Sequence, residues 1–265
     1  MSPEHSKAAH DLLVFYAEAG VDAALSEEAN DWLSERPPAA EPAATPTPRP
    51  RVLAQTPAPI MAPPPPAPDA AVMAAREAAR NAASLDELRS ILDRFDGCTL
   101  KASASRLVFA DGTPGARLMF VGEAPGFDED KQGVPFVGRS GQLLDRMLKA
   151  IELNRSHVYI ANIVPWRPPG NRTPTPVETQ ICLPFIQRQI ELCNPDILVT
   201  IGQPSTGALL GVQGITKNRG RWFAYQTGTR EIRAMPMLHP AYLLRSPIAK
   251  RQAWRDMIAI KKALG

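Results

Sequence analysis

The residues of this sequence with the greatest potential for chemistry lie in one long loop, residues 122–141. Glu123, Asp128 and Glu129 are carboxylates that can orient a water molecule or balance a positive charge. Phe136 adds an aromatic ring that can stack on a planar ligand. The glycines of the loop permit tight turns, and its prolines stiffen the remainder. A simple connection needs none of these groups, so we interpret the loop as one wall of a binding pocket.

Two further loops carry groups suited to recognising a polar ligand. Asn162 follows a strand-like run, and its amide offers one hydrogen-bond donor and one acceptor. His239 follows another such run, and a neutral imidazole N–H can stabilise developing negative charge as an oxyanion-hole donor does. Each residue also has a structural explanation, since Asn often turns the chain at the end of a strand and a His before Pro240 can cap a loop.

The elements that must position these loops alternate along the chain. Apolar runs predict strands near residues 117–121, 157–161, 196–201 and 232–238. Helical spacing predicts helices near residues 70–83, 84–95, 141–152, 175–193, 203–210 and 246–263. Ser84 and Thr175, the latter followed by Pro176, are the expected N-cap residues of two of these helices. Strand–helix alternation implies parallel strands joined by right-handed crossovers. We therefore predict an α/β fold, a three-layer α/β/α sandwich around a central parallel sheet of about four strands. The three loops follow strands, at the edge where open α/β sheets bind ligands.

Composition divides the chain into three parts. Apolar residues recur at helical spacing within residues 1–36, which we interpret as an N-terminal helical segment and a candidate docking element for a protein partner. Proline supplies 13 of the 32 residues from 37 to 68, so residues 37–69 are interpreted as an extended linker. Residues 70–265 are predicted to form the domain that carries the pocket.

Basic residues are concentrated near the carboxyl terminus, although the net charge is only +3. Between Thr216 and Lys262 there are eleven lysines and arginines and only two acidic residues, Glu231 and Asp256. Such a face is either simply solvated or binds phosphates. Because it surrounds His239, we favour a surface that neutralises backbone phosphates.

Several classes of protein are disfavoured by the sequence. No apolar stretch approaches the roughly 20 residues that a membrane helix needs, and the first residues lack the basic and apolar regions of a secretory signal. Cys98, Cys182 and Cys193 are too few and too scattered for a disulfide framework. We therefore expect a cytoplasmic protein with no membrane attachment.

Together the three loops resemble those of the uracil-DNA glycosylase superfamily. The motifs are Gly-Glu-Ala-Pro-Gly at residues 122–126, Asn162 at a strand end, and His-Pro-Ala-Tyr-Leu-Leu-Arg at residues 239–245. They match the family-four branch most closely, over roughly residues 100–263. The resemblance implies a monomeric DNA-repair enzyme whose catalytic domain is residues 70–265. It would hydrolyse the N-glycosidic bond of uracil in DNA, releasing free uracil and leaving an abasic site for base excision repair.

The resemblance also assigns roles to individual residues. His239 would bind the uracil O2 and Asn162 its O4 and N3–H edge, while Phe136 would stack on the base. Glu123 would position or activate water, because the catalytic Asp of the better-known branch corresponds to Ala124 here. Asp128 is the second choice for that role, Asn171 would support it, and Glu129 and Asp130 would face solvent or fix the loop. Backbone contacts to uracil are expected from Gly122, Ala124 and Gly126, and DNA contacts from Arg139, Ser140, Leu243, Leu244 and Arg245.

The sequence departs from family four at the iron–sulfur cluster, which is held there by four cysteines. The corresponding positions are Cys98, Lys101, Trp166 and Cys182, so two thiolates are missing. Cluster ligation normally takes four. We therefore expect no metal and no cofactor, and we hypothesise that Trp166 fills the vacated volume with apolar surface.

Two other functions remain open from the sequence. One is a protein that binds uracil-DNA without releasing the base, and the other is a glycosylase with a shifted base specificity. An accessory DNA-binding module of the same fold would be expected to lose Asn162 and His239, and both are present. One branch of the superfamily traps uracil-DNA covalently and carries an inserted basic loop with a His after the strand that ends in the Asn. Residues 165–172 contain no His, which disfavours a trapping protein.

Overall fold

Residues 68–265, the part of the chain described by the computed structural model, form a six-stranded sheet with helices on both faces. The first helix begins at Pro68, two residues before the predicted domain boundary. The predicted N-terminal segment, residues 1–36, lies outside the described residues, as does the linker up to residue 67. None of the helices in the described part is long and apolar enough to cross a membrane.

The sheet contains the four predicted parallel strands and two short strands at its edges. The strands are β1 (Asp111–Gly112), β2 (Leu118–Gly122), β3 (Val158–Asn162), β4 (Ile197–Ile201), β5 (Phe223–Gln226) and β6 (Glu231–Met237). Their order is β1-β3-β2-β4-β6-β5, with β3, β2, β4 and β6 parallel and both edge strands antiparallel. The edge strands were not predicted, because two to four residues are too short to show a period.

The structure contains the six predicted helices and, in addition, short helices that were not predicted, at Leu100–Ser103, Phe127–Gln132, Ile215–Asn218 and Pro240–Arg245. In chain order the helices are α1 (Pro68–Arg80), α2 (Leu85–Arg94), α3 (Leu100–Ser103), α4 (Phe127–Gln132), α5 (Arg139–Ala150), α6 (Pro176–Cys193), α7 (Gln203–Leu210), α8 (Ile215–Asn218), α9 (Pro240–Arg245) and α10 (Lys250–Leu264). The helix predicted at 246–263 is wrong at its start, because Pro247 forces Ser246 out of the helical region and a 3₁₀ turn separates α9 from α10.

Two helix starts that were visible in the sequence are confirmed. The Ser84 side chain accepts a hydrogen bond from the Glu87 N–H at the start of α2. The Thr175 side chain likewise accepts a hydrogen bond from the Glu178 N–H at the start of α6, where Pro176 occupies the first helical position. These caps satisfy N–H groups that have no partner within the helix.

The parallel strands are buried on both faces, as in other sheets covered by helices. Along β2, Met119 and Val121 pack in a cluster with α1, α2 and α6, whereas Leu118 and Phe120 pack with α5 and α10. This alternation places one helical layer on each side of the sheet. The predicted three-layer α/β/α architecture is therefore confirmed.

Candidate active site

A cavity of about 460 Å³ lies at the carboxyl ends of the parallel strands. The loops that follow β2, β3 and β6 all contribute to its wall. Nine of the side chains or backbone segments expected at the site line it: Glu123, Ala124, Gly126, Phe136, Ser140, Asn162, Asn171, His239 and Arg245. The sheet therefore brings together groups that are more than a hundred residues apart in the sequence.

Asn162 and Glu123 lie side by side because β2 and β3 are neighbours. Gly122 pairs with Asn162 in the parallel register, and the Val164 N–H donates to the Glu123 carbonyl at 3.0 Å. Glu123 Oε1 and Asn162 Oδ1 are buried, and neither has a hydrogen-bond partner among residues 68–265. Burial also raises the pKa of the Glu123 carboxyl. Buried polar atoms in native proteins normally have partners, so these two oxygens point to a ligand.

Gly122 does not line the cavity, but it adjoins two residues that do. A Cβ atom at this position would lie 2.4 Å from Asn162 Oδ1 and 2.6 Å from Cζ of Phe136. Only glycine therefore lets the amide and the aromatic ring pack this closely. We expected a backbone contact between Gly122 and the base. In the structure, the contribution of Gly122 is that its lack of a side chain leaves room for Asn162 and Phe136.

The first loop is held in shape by two of its carboxylates. Glu129 accepts hydrogen bonds from the N–H groups of Gly126, Val137 and Gly138 at 2.9–3.1 Å. Asp130 is 3% exposed and accepts from the N–H groups of Ser105 and Arg106. Both residues fix the loop, which was one of the two roles expected for them.

His239 is the N-cap residue of α9, and its environment selects one tautomer. Its Nδ1 accepts a hydrogen bond from the Ala241 N–H at 3.0 Å, so the proton of the neutral ring is on Nε2. The His239 pKa is lowered to about 4, mainly by burial and also by the positive charge of Arg245, while the negative charge of Glu129 acts in the opposite direction. The ring is therefore a neutral N–H donor near pH 7, and it stacks on Phe136 with centroids 5.8 Å apart.

Comparison with known proteins decides the family. The model of the uracil-DNA glycosylase superfamily matches residues 109–258, which is more than half of the chain. The chain belongs to the uracil-DNA glycosylase superfamily.

Several relatives are named type-4 uracil-DNA glycosylases. A type-4 uracil-DNA glycosylase of Sulfurisphaera tokodaii is 38% identical over 185 residues, covering 68% of this chain and 84% of the relative. The type-4 enzyme of Thermotoga maritima is 44% identical over 153 residues, covering 56% and 77% respectively. That of Saccharolobus solfataricus is 36% identical over 187 residues, covering 68% and 87%.

Not every residue expected from the glycosylase resemblance reaches the cavity. Leu243 is 1% exposed and packs in a core cluster with Leu238 and Ala253, so its predicted DNA contact is wrong. Leu244 is half-buried against the same cluster. Asp128 and Arg139 are exposed and lie outside the cavity lining. Among the loop carboxylates, Glu123 is therefore better placed than Asp128.

Sequence reasoning missed part of the loop after β3. Pro168, Arg172, Thr173 and Pro174 line the cavity beside Asn171. Arg172 pairs with both oxygens of Glu178, which lowers the Glu178 pKa. The available signal was their position between Asn162 and the cap at Thr175. Proline-rich connections of this kind are common, and an arginine or threonine within one does not by itself mark a site.

The four cluster positions of family four do not fit an iron–sulfur cluster in this chain. Cys98 and Cys182 are buried with their sulfur atoms 3.9 Å apart, and hydrogen bonding from Cys182 lowers the Cys98 pKa. Lys101 forms an ion pair with Asp96, and Trp166 is 2% exposed in the core cluster that contains both thiols. Two thiols, an ammonium and an indole cannot supply four thiolates.

Proposed function

We propose that this chain is a uracil-DNA glycosylase, which hydrolyses the N-glycosidic bond of uracil in DNA and leaves an abasic site. The type-4 relatives support this activity, as does one observation on the site. Two buried oxygens, on Glu123 and Asn162, have no hydrogen-bond partner among residues 68–265 and share a cavity with the neutral His239 donor. A flipped uracil can satisfy the Asn162 oxygen and the His239 donor, and a water molecule can satisfy Glu123. A glycosylase must extract its base from the stack in this way.

Asn162 is proposed to read the edge of the base. Its Oδ1 accepts from the N3–H of uracil, and its amide N–H₂ donates to O4. Cytosine has no proton on N3 and carries an amino group in place of O4. Binding cytosine would leave both groups of the buried Asn162 amide unpaired, and such a site rejects the wrong ligand strongly.

His239 is proposed to stabilise the leaving group. When the bond between the sugar C1′ and the base N1 breaks, both electrons leave with uracil and negative charge accumulates on O2. The Nε2–H of His239 donates to this oxygen, and it needs no proton transfer to do so. A donor aimed at charge that develops in the transition state contributes about 2.7–4 kcal/mol in other enzymes.

Glu123 is proposed to act on the other product. Departure of the base leaves positive charge on the sugar, which an ionised carboxylate stabilises. The same carboxylate can orient a water molecule for attack on C1′ and accept its proton. Phe136 stacks on the base, Asn171 supports the water, and Arg139, Ser140, Leu244 and Arg245 contact the DNA strand.

A gel assay with a uracil-containing oligonucleotide tests this proposal. Alkali cleaves the strand wherever uracil has been excised, and we expect cleavage that depends on uracil. His239→Ala should lower the single-turnover rate by about 100-fold or more while uracil-DNA binding is nearly kept. Met73→Ala, at an exposed position on α1, is the matched control and should cleave at the parental rate.

The assay also separates the alternatives. A protein that only binds uracil-DNA would shift the oligonucleotide on a native gel and give no alkali-sensitive sites. A glycosylase with another specificity would cleave oligonucleotides that contain thymine mismatches or deaminated purines in preference to uracil. Either outcome would overturn the proposal.

A further inference from the structure

Phe127 is an aromatic residue that the reaction described above does not use. It is 57% exposed, more than any other Phe, Tyr or Trp among residues 68–265. The guanidinium carbon of Arg167 lies 5.0 Å from the ring centroid, which places a cation against the ring. An exposed phenyl ring with a guanidinium against it is a surface on which a planar ligand can stack.

The position of this pair relates it to the active-site cavity. Phe127 directly follows Gly126, which lines the cavity from the loop after β2. Arg167 belongs to the loop after β3, and its Nε donates to Asn171 Oδ1 at 2.7 Å. Because Asn171 also lines the cavity, the Phe127–Arg167 pair bridges two loops at the rim.

Helix α4 does not depend on the phenyl ring of Phe127, and the Arg167 guanidinium has no acidic partner among residues 68–265. The helix α4 that begins at Phe127 is fixed by the Glu129 carboxylate and by Gly133 in the left-handed region, and neither contact involves the phenyl ring. Arg167 forms no salt bridge with any residue in 68–265. Its charge is therefore available to an anionic partner.

We propose that Phe127 and Arg167 form a stacking platform for the base next to the flipped uracil, on the same DNA strand. The proposal rests on the proposed glycosylase function. Aromatic rings bind bases of any sequence through their faces, and an arginine guanidinium adds stacking and attraction to the phosphates. The platform would extend the DNA-binding surface of the protein beyond the residues of α5 and α9 that are expected to contact DNA.

The experiment places 2-aminopurine beside 2′-fluoro-2′-deoxyuridine in a single-stranded oligonucleotide. The fluorine slows bond cleavage, so binding can be measured with the parental enzyme. Stacking of 2-aminopurine on an aromatic ring quenches its fluorescence, and we expect quenching on one side of the uracil. Phe127→Leu keeps an apolar side chain and should abolish the quenching and weaken binding by about tenfold. Phe127→Tyr should keep the quenching and the parental affinity, as should the control Met73→Ala.

Two further measurements separate this inference from catalysis. At saturating DNA, Phe127→Leu should excise uracil at the parental single-turnover rate, because the platform touches no reacting atom. Arg167→Gln should reduce the slope of log Kd against log salt by about one, as the loss of one phosphate contact does. If the parent and Phe127→Leu show the same fluorescence quenching and the same Kd for DNA, the stacking platform is refuted, although the proposed excision activity is not affected. Absence of excision by the parent would instead refute the proposed function.

Discussion

The Arg155 guanidinium donates a hydrogen bond to the carbonyl oxygen of Phe136 and so holds the backbone of the stacking residue. It also donates to the Pro135 carbonyl at 3.1 Å, while Asp111 and Asp145 fix its orientation at 2.6 and 2.7 Å. Phe136 has a φ of 56°, a conformation that costs a non-glycine residue of order 1–3 kcal/mol. The interactions of Arg155 keep the ring in place against this strain.

Replacement of Arg155 should therefore impair excision through Phe136. We expect Arg155→Met to lower the single-turnover rate by about 10- to 100-fold, because the ring loses its position against the base. Arg155→Lys should recover part of the rate. Arg117→Met, which breaks an exposed ion pair with Asp196, is the control. If Arg155→Met and Arg117→Met are equally active, Arg155 does not position the ring.

The pH dependence of the excision rate should identify the carboxylate that must be ionised for the reaction. Burial raises the pKa of Glu123, whereas the His239 pKa is about 4. As the pH falls, Glu123 is therefore neutralised first, and the rate should decline through its raised pKa while His239 is still neutral. Glu123→Gln should lower the rate and remove this acid limb, and His239→Gln should lower the rate and keep it. An unchanged acid limb in Glu123→Gln would assign it to another group.

Asn162→Asp should weaken the recognition of uracil. An ionised carboxylate offers no donor to O4, and its charge repels that oxygen, so we expect excision of uracil to fall by at least about tenfold. When the new carboxyl group is protonated, it presents a different pattern of donor and acceptor to the base. The excision rates of uracil and of cytosine are therefore to be measured together. The exposed Asn81→Asp provides the control. A parental rate on uracil would show that Asn162 is not the reader.

Trp166 should contribute strongly to stability. It is 2% exposed and belongs to the same core cluster as Cys98 and Cys182, so Trp166→Ala should lower the free energy of unfolding by about 3–5 kcal/mol. Trp254 is 45% exposed, and Trp254→Ala should cost much less. Urea unfolding curves of both variants make the comparison. Similar midpoints for the two would mean that Trp166 does not fill a tightly packed volume.

The purified protein should contain no stoichiometric iron or sulfide. Only Cys98 and Cys182 remain at the four cluster positions, and the indole of Trp166 occupies a third. Iron and sulfide analysis of protein prepared anaerobically tests this, with absorption in the visible range as a second readout. Near-stoichiometric iron together with sulfide would contradict the prediction.

Local patterns in the sequence determined the elements and the position of the site. The four parallel strands could be predicted because each is a short apolar run, and the caps at Ser84 and Thr175 because a cap acts within one helical turn. The motifs after β2, β3 and β6 also identified the family. In a parallel sheet such loops meet at one edge, so the sequence alone was sufficient to group Glu123, Asn162 and His239.

Only the tertiary structure decided which side chains face the cavity and in which chemical form. Leu243 is buried while Leu244 is half-buried, although both belong to one motif, because α9 packs against α5 and α10. The proton position on His239 depends on Ala241, and the conformation of Phe136 depends on Arg155. The direction of a side chain and its protonation result from packing between elements far apart in the chain, and the periodicity of one segment carries no information about its neighbours in space.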